Sequence, residues 1–582
     1  MTSSIAVQDD NASSIAVVSV VDAHEKASQI AQVSGEYDPT DAAGLFAEDP
    51  ESRPPVFKSA LSETVCMMTF FFVPMMNSSN QGAVQLCLTY LSSYFGIEGS
   101  ELSWTVTSYT LVAGSVFLLV GRLADIIGRK RTLIFAIIWY SVLSLCMAFV
   151  KSAIVFDALR GLQALGGAAA PPSAVGIISL IYRPSKRKNH AMAMYAAGAP
   201  VGYTIGVVVG GICVEYISWK AVNIFWTILY SLVCLFVWLL VPSDENLIKM
   251  SNYLIITGGG TTIQPINKTW PGILIQLQGL DFMGAALSIC GMTIFIFSLT
   301  SASSAPNGWG TPYIIALLIV SVIFMVIFVL WELHCKNPLM PMYIWKFPGF
   351  ALCMSVVFCG WLTFQGVLMY YPSLYFQNIR NYSIIKTTAA MLPLAISGIL
   401  TNVGVALLLH KIPGRVLMFI SMICFLASSL LWALQPIDIL YWAMPFPALA
   451  IVIVGADLTF NVVNHVSLAA VPPNLKSTAA GTFNVVVQLS GAIGLAVSTA
   501  VVTSQIGTDI TNQDPAILHR GYKCAYWFAV AMSGVGAILS LFQKIGTQGG
   551  KDSLEQDKIA IKMSERVQKP ERSSKDNEAT AS

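Results

Sequence analysis

The chain has 582 residues, 55% of them hydrophobic and only 11% charged, with a mean hydropathy of +0.67 and a net charge of +2. A soluble protein carries about 25% charged residues, so no interior hides this much apolar surface and lipid is the solvent for most of the chain. The near-neutral balance excludes nucleic acid as an expected partner.

Residues 1–60 are polar and acid-leaning (Asp9, Asp10, Asp38, Asp41, Glu48, Asp49) and lack an apolar stretch behind a basic one. They are expected as a disordered cytoplasmic tail, with no cleavable signal. A bilayer core takes about 20 apolar residues per helix. Spans are expected near 64–90, 102–121, 132–150, 154–181, 190–213, 221–241, 279–300, 311–331, 349–371, 387–409, 416–434, 440–468, 479–503 and 524–543, fourteen in all. The connection 243–278 is long and without a clear period, and is read as a cytoplasmic loop or an insertion. Residues 544–582, rich in Lys, Glu, Ser and Asp, read as a second disordered cytoplasmic tail. The eleven cysteines are scattered and form no CxxC pair or Cys/His cluster, so neither disulfides nor a metal are expected.

Lys and Arg in short loops set orientation. The connections after even-numbered spans hold Arg122, Arg129, Lys130, Arg131, Arg183, Lys186, Arg187 and Lys188, then Lys336, Lys346, Lys411, Arg415 and Lys476. The opposite loops are expected to hold only Lys151, Lys220, Arg380, Lys386, Arg520 and Lys523. Both tails are therefore placed in the cytoplasm, and the sequon at Asn381 falls outside, where it accepts a glycan. The sequon at Asn267 falls inside and stays bare.

Three motifs carry a resemblance. In 121-GRLADIIGRKRTL-133, Gly121, Asp125, Gly128, Arg129 and Lys130 form a tight turn with one acid before a cationic cluster. Asp125 is expected to pair with Arg129 or a neighbouring helix. In 156-FDALRGLQALGGAA-169, Arg160 lies within a span, at a cost of roughly 2.5–3.5 kcal/mol on insertion scales. In 197-AGAPVGYTIGVVVGGI-212, Gly198, Gly202, Gly206 and Gly210 recur every fourth residue, with Gly211 beside the last. Spacing of four drifts about 40° per step, so these glycines form one groove for a close helix neighbour.

Together the three stretches resemble the turn, fourth-span and antiporter motifs of the major facilitator superfamily, in its fungal fourteen-span drug:proton antiporter branch. Within that branch the chain is most similar to the aminotriazole-resistance, boron-exporter and ammonium-facilitator group. The likeness covers roughly residues 60–543. It implies an all-α membrane fold: a six-helix bundle at 61–242, two inserted helices at 279–331, and a second six-helix bundle at 332–543. It implies gating by the turn motif and proton coupling through Arg160. Val207 stands where the antiporter motif has proline, and Pro200 sits nearly two turns earlier. The seventh span opens 279-GLDFMGAAL-287, similar to the branch's L-D-x-x-G motif, and 410-HKIPGR-415 echoes the first turn only faintly.

Transporter sites lie near the midplane between repeats. The first span carries Asn77, Asn80, Gln81 and Gln85; the twelfth carries Asp457, Asn461, Asn464 and His465. Gln365, Asn484 and Gln488 are added as candidate cavity lining. An intramembrane carboxylate is a functional residue by default, so Asp457 is read as proton carrier or substrate counter-charge, the alternative being a carboxylate locked structurally by Asn neighbours or an Arg; His465 is read as structural. The expected function is export of a small molecule (drug, toxin, secondary metabolite or small solute) by alternating access, driven by the proton gradient without a cofactor. The protein is expected to be a monomer in the plasma membrane, or in a vacuolar or vesicular one. A uniporter or importer of a polar solute such as ammonium, and a transport-dead nutrient sensor, are the alternatives. No Ser/His, HExxH or paired-Asp arrangement suggests an enzyme, and no GxxxxGK[ST] suggests an ATP-driven pump.

Overall fold

The computed structural model describes residues 53–543, apart from 55, 98, 183–185, 248–279, 303–304, 306, 336–337, 348, 409–411, 470–475 and 508–513. Most of the tail and central-loop expectations, and Asn267, lie outside these residues. Among the described residues, fourteen helices are long and apolar enough to cross a membrane. They are α1 (Ala60–Phe95), α2 (Gly99–Ile127), α3 (Arg129–Met147), α4 (Ala153–Ile181), α5 (Lys186–Tyr216), α6 (Trp219–Leu240) and α7 (Phe282–Ser301). The rest are α8 (Pro312–His334), α9 (Phe350–Ile379), α10 (Ile384–Leu408), α11 (Gly414–Leu434), α12 (Pro445–Ala469), α13 (Lys476–Ile506) and α14 (Pro515–Leu541).

Local chemistry sets several ends and corrects three expectations. The amino-terminal tail does not stay disordered through residue 60: Phe57 is buried in the first core, and Ser59 and Ser62 form a reciprocal capping box on α1. The last helix starts at Pro515, not near 524, because Asp514 caps it by accepting from the Ala516 N–H and Pro515 occupies the first turn. Arg520 and Lys523 therefore belong to α14 and not to a loop. The twelfth helix starts at Pro445, after a run of turns at 437–444.

The four-spaced glycines answer to a matching row on α1. A methyl at Gly198 or Gly206 would collide with the carbonyl oxygens of Phe71 and Ser79; one at Gly202 would lie 2.6 Å from Met75 Cα, and one at Gly210 3.0 Å from Ala83 Cα. Phe71, Met75, Ser79 and Ala83 are themselves four apart, so two backbones meet along a shared seam. Gly211 points elsewhere, to Thr388 on α10. Close packing of this kind is how helices associate in lipid, where apolar burial gives no drive.

The six helices α1–α6 and the six helices α9–α14 each enclose an aromatic-rich core. They meet through α2 against α13 and α5 against α10. The hairpin α7–α8 lies beside the junction, with α7 on α2 and α13. Of the fourteen, α8 is the most apolar and the least buried, as a lipid-facing helix should be. The α2–α3 turn, the start of α5 and the end of α6 share one end of the molecule, its basic end.

The ninth helix is irregular. It widens into π-helical turns at Phe364–Leu368 and Tyr375–Ile379. Pro372 cannot donate to the carbonyl of Leu368, and it follows the first widened turn, in the opening turn of the regular segment Tyr371–Leu374.

Candidate functional site

Inside the first bundle, a polar network forms around Arg160, which is 1% exposed. Its Nη1 donates to Asn80 Oδ1, and its guanidinium lies 5.5 Å from the centre of the Tyr109 ring. Tyr109 donates to Asn77 Oδ1 at 2.6 Å, and Asn77 Nδ2 donates to the Gly167 carbonyl at 2.9 Å. Gln163 Nε2 donates to Ser144 Oγ at 2.6 Å, while Ser79 and Tyr230 share a hydrogen bond of 2.7 Å. Asn77 and Asn80 thus bind α1 to α2 and α4. The polar row on α1 divides between two neighbours: Asn77 and Asn80 face into the first bundle, where Asn80 lines a small cavity with Phe156, Trp219 and Asn223.

Gln81 and Gln85 look the other way. Gln365 Nε2, carried on the first π-turn of α9, donates to Gln81 Oε1 at 3.2 Å across the junction of the two bundles. Tyr203 donates to Gln85 Oε1 at 2.8 Å. Farther from the basic end, Ser373 Oγ donates to the Gln85 carbonyl at 3.2 Å, and Gln377 Nε2 to the Leu86 carbonyl at 3.1 Å. The second π-turn carries Gln377, so both irregular turns of α9 reach α1. Gln488 touches the Gly114 position on α2, whereas Asn484 donates to Ala480 of its own helix.

In the second bundle, Asp457 lies midway along α12 and is 9% exposed. Asn402 Nδ2, on α10, donates to its Oδ2 at 2.8 Å. Asn461 Nδ2 donates to the Asp457 carbonyl at 2.8 Å and to Asn402 Oδ1 at 3.2 Å. A methyl at Gly398 would lie 3.5 Å from Asp457 Oδ2 and 3.3 Å from Pro200 Cβ, so the carboxylate sits where α10 meets α5. Among the described residues no Lys or Arg pairs with it. Among the described residues, Arg160 and Asp457 have no shared partner. The side chains of Asn464 and His465 lie outside those described.

The turn motif ties the basic end together through a residue that the sequence reading missed. Asp244, just past α6, accepts from the Lys130 and Arg131 N–H groups at 2.9 and 3.1 Å, capping α3 with a negative charge. Gly128 has φ +115°, and a methyl there would lie 2.9 Å from Asp244 Cγ, so glycine answers both conformation and space. Arg129 Nη1 donates to the Gly176 carbonyl at 2.7 Å, and Lys130 Nζ to Val241 and Trp238 carbonyls at 2.6 and 2.9 Å. The Asp125 side chain, and with it the expected pairing, lies outside those described. Gly121 meets only Pro172 Cβ, at 4.0 Å.

A second clamp joins α1 to α5. Arg187 Nη1 reaches Glu63 Oε1 and Oε2 at 2.8 and 2.7 Å, and Tyr182 donates to Oε1 at 3.1 Å. Burial, then the Glu63 carboxylate, pushes the Tyr182 phenol well above its usual range, so it stays a donor. At the opposite end, Asn381 is exposed in the α9–α10 connection.

Asn402 and Asp244 escaped the sequence reading because each is a single polar residue without a repeating pattern. Their only signal is position: an amide inside a span, and an acid next to a basic turn.

Comparison with known proteins accords with this geometry. The chain is 27% identical to the low affinity ammonium transporter of Saccharomyces cerevisiae, over 83% of this chain and 88% of that protein. It is 27% identical to efflux pump terJ of Aspergillus terreus (88% and 93% covered) and to the aminotriazole resistance protein of S. cerevisiae (84% and 85% covered). A bacterial homolog of the human lysosomal transporter Spinster, in an inward-facing and unoccupied conformation, shares the fold with a TM-score of 0.53 at 14% identity, over 83% of this chain and 97% of that one. The pattern of the Major Facilitator Superfamily matches residues 67–495, so the chain is an integral multi-pass membrane transporter of that superfamily and not an enzyme.

Proposed function

We propose that the chain is a proton-coupled exporter of a small molecule, moving its substrate by rocking the two bundles about a site between α1, α5, α9, α10 and α12. The observation that carries this reading is Asp457. It is a buried carboxylate at the junction of the bundles, held by amides and without a cationic partner among the described residues. A carboxylate fixed by a cation stays ionised, whereas one held by amides changes charge as its access to water changes. Opening the junction on one side hydrates Asp457 and lets it ionise; closing it favours the proton. Gln81, Gln85 and Gln365 supply donors and acceptors for a polar substrate group, with Gln488, Asn461 and Asn484 nearby on the same junction. Arg160 acts indirectly, by fixing α1 and α2 through Asn80 and Tyr109. With the basic end in the cytoplasm, the bonds from Ser373 and Gln377 to α1 hold the outer side closed.

Resemblance to an efflux pump and an aminotriazole resistance protein supports export. Resemblance to a low affinity ammonium transporter supports a second reading, gradient-independent passage of a small cation or amine. The two separate in one experiment. Yeast expressing the chain is tested for growth on aminotriazole, azoles, boric acid and methylammonium, with and without a protonophore. An exporter gives resistance that the protonophore abolishes; a uniporter keeps moving solute.

A further inference from the structure

The inserted hairpin contains a carboxyl pair that none of the roles above uses. Asp281 precedes α7 and Glu332 ends the long apolar run of α8, and they are 7% and 3% exposed. Asp281 Oδ1 is satisfied twice, by the Gly284 N–H at 2.8 Å and by Trp331 Nε1 at 2.8 Å. Glu332 Oε2 accepts the Met340 N–H at 3.2 Å. The other two oxygens, Asp281 Oδ2 and Glu332 Oε1, are buried without a hydrogen-bond partner. They converge on one place: a methyl at Gly284 would collide with Asp281 Oδ2 and lie 3.1 Å from Glu332 Oε1. The glycine of the L-D-x-x-G stretch therefore leaves room for a second carboxyl group beside the capping one.

Two ionised carboxylates repel each other strongly in a buried site of this size, and among the described residues no cation forms an ion pair with either. Among the described residues the cation facing Glu332 from a neighbouring element is Arg122 of α2, and its Nη2 donates to the Pro338 carbonyl at 3.2 Å. We propose that Asp281 and Glu332 form a proton-binding site, in which one proton lies between Asp281 Oδ2 and Glu332 Oε1. Glu332, as the neutral acid, donates its O–H to the Asp281 carboxylate, and both orphaned oxygens are satisfied at once. The site stands at the root of the hairpin, where α7, α8 and the segment leading to α9 meet the end of α2. It is separate from Asp457 and does not depend on that residue's role.

Infrared spectroscopy of the full chain in lipid nanodiscs reads the proton directly, as the carbonyl band of a carboxylic acid. At neutral pH the wild type should show such a band, and Glu332→Gln should lack it. Asp281→Asn should lack it too, since an amide at either position donates to the remaining carboxylate and lets it ionise. The band should persist in Asp457→Asn, which distinguishes this site from the transport carboxylate. Spectra of E332Q and D281N that retain every wild-type acid band overturn the proposal. Should one of the pair fail to fold, the other gives the same reading.

Discussion

Arg160 and Asp457 are both buried charges in membrane-spanning helices, yet their surroundings differ in kind. Arg160 is enclosed within one bundle, and its partners come from α1 and α2, which move with it. Asp457 sits at the edge of the other bundle, against α10 and the α5 position of Pro200. On the reading proposed above, rocking leaves the surroundings of Arg160 unchanged and alters only the α5 side of Asp457, whose hydrogen-bond partners on α10 and α12 travel with it. A charge built into a rigid half shapes that half; a charge at the junction senses which state the junction is in.

The comparison can be broken by attacking each region. The largest effect on folding is expected from Gly206→Leu, since even a methyl at this position meets the Ser79 carbonyl. The α1–α5 contact should separate, and fluorescence-detected size-exclusion chromatography should show loss of the monodisperse protein. Arg160→Met keeps the volume but leaves Asn80 Oδ1 without its donor, at a cost of about 1–3 kcal/mol. A thermal melt in detergent should shift down, and the remaining flux should still follow the pH gradient. Persistence of the melting temperature together with loss of pH dependence would make Arg160, rather than Asp457, the carrier of coupling. Gln365→Ala removes one hydrogen bond across the junction, worth roughly 0.5–1.5 kcal/mol, or about 2–10-fold. That change should appear in the KM for a transported solute and leave the melt unmoved.

The fourteen crossings were legible because lipid demands about 20 apolar residues per helix and the chain supplies them without ambiguity. The glycine row was legible for a similar reason: one residue type at one spacing admits few uses. The ends were less so. Hydropathy assigned the start of α14 to a loop because Arg520 and Lys523 lie in its first turns, while the cap at Asp514 carried the true boundary. Which neighbour a polar side chain faces was not legible at all. Asn77, Gln81 and Gln85 share a helical face by spacing, yet Tyr109 takes the first, Gln365 the second and Tyr203 the third. Facing depends on partners from distant segments, and no local pattern encodes them. The π-turns of α9 were hidden in the same way, since Pro372 announces an irregularity but not its form.

The central claim is that Asp457 carries the coupled proton, and Asp457→Asn in reconstituted vesicles tests it most directly. Asn keeps the shape and a hydrogen-bonding partner for Asn402, so the purified variant should melt like the wild type. Uptake of aminotriazole or methylammonium, whichever the growth screen identifies, is measured under an imposed pH gradient and as exchange at equal pH. The account predicts that gradient-driven accumulation falls to the level of empty vesicles while exchange persists. Accumulation equal to that of the wild type would contradict it.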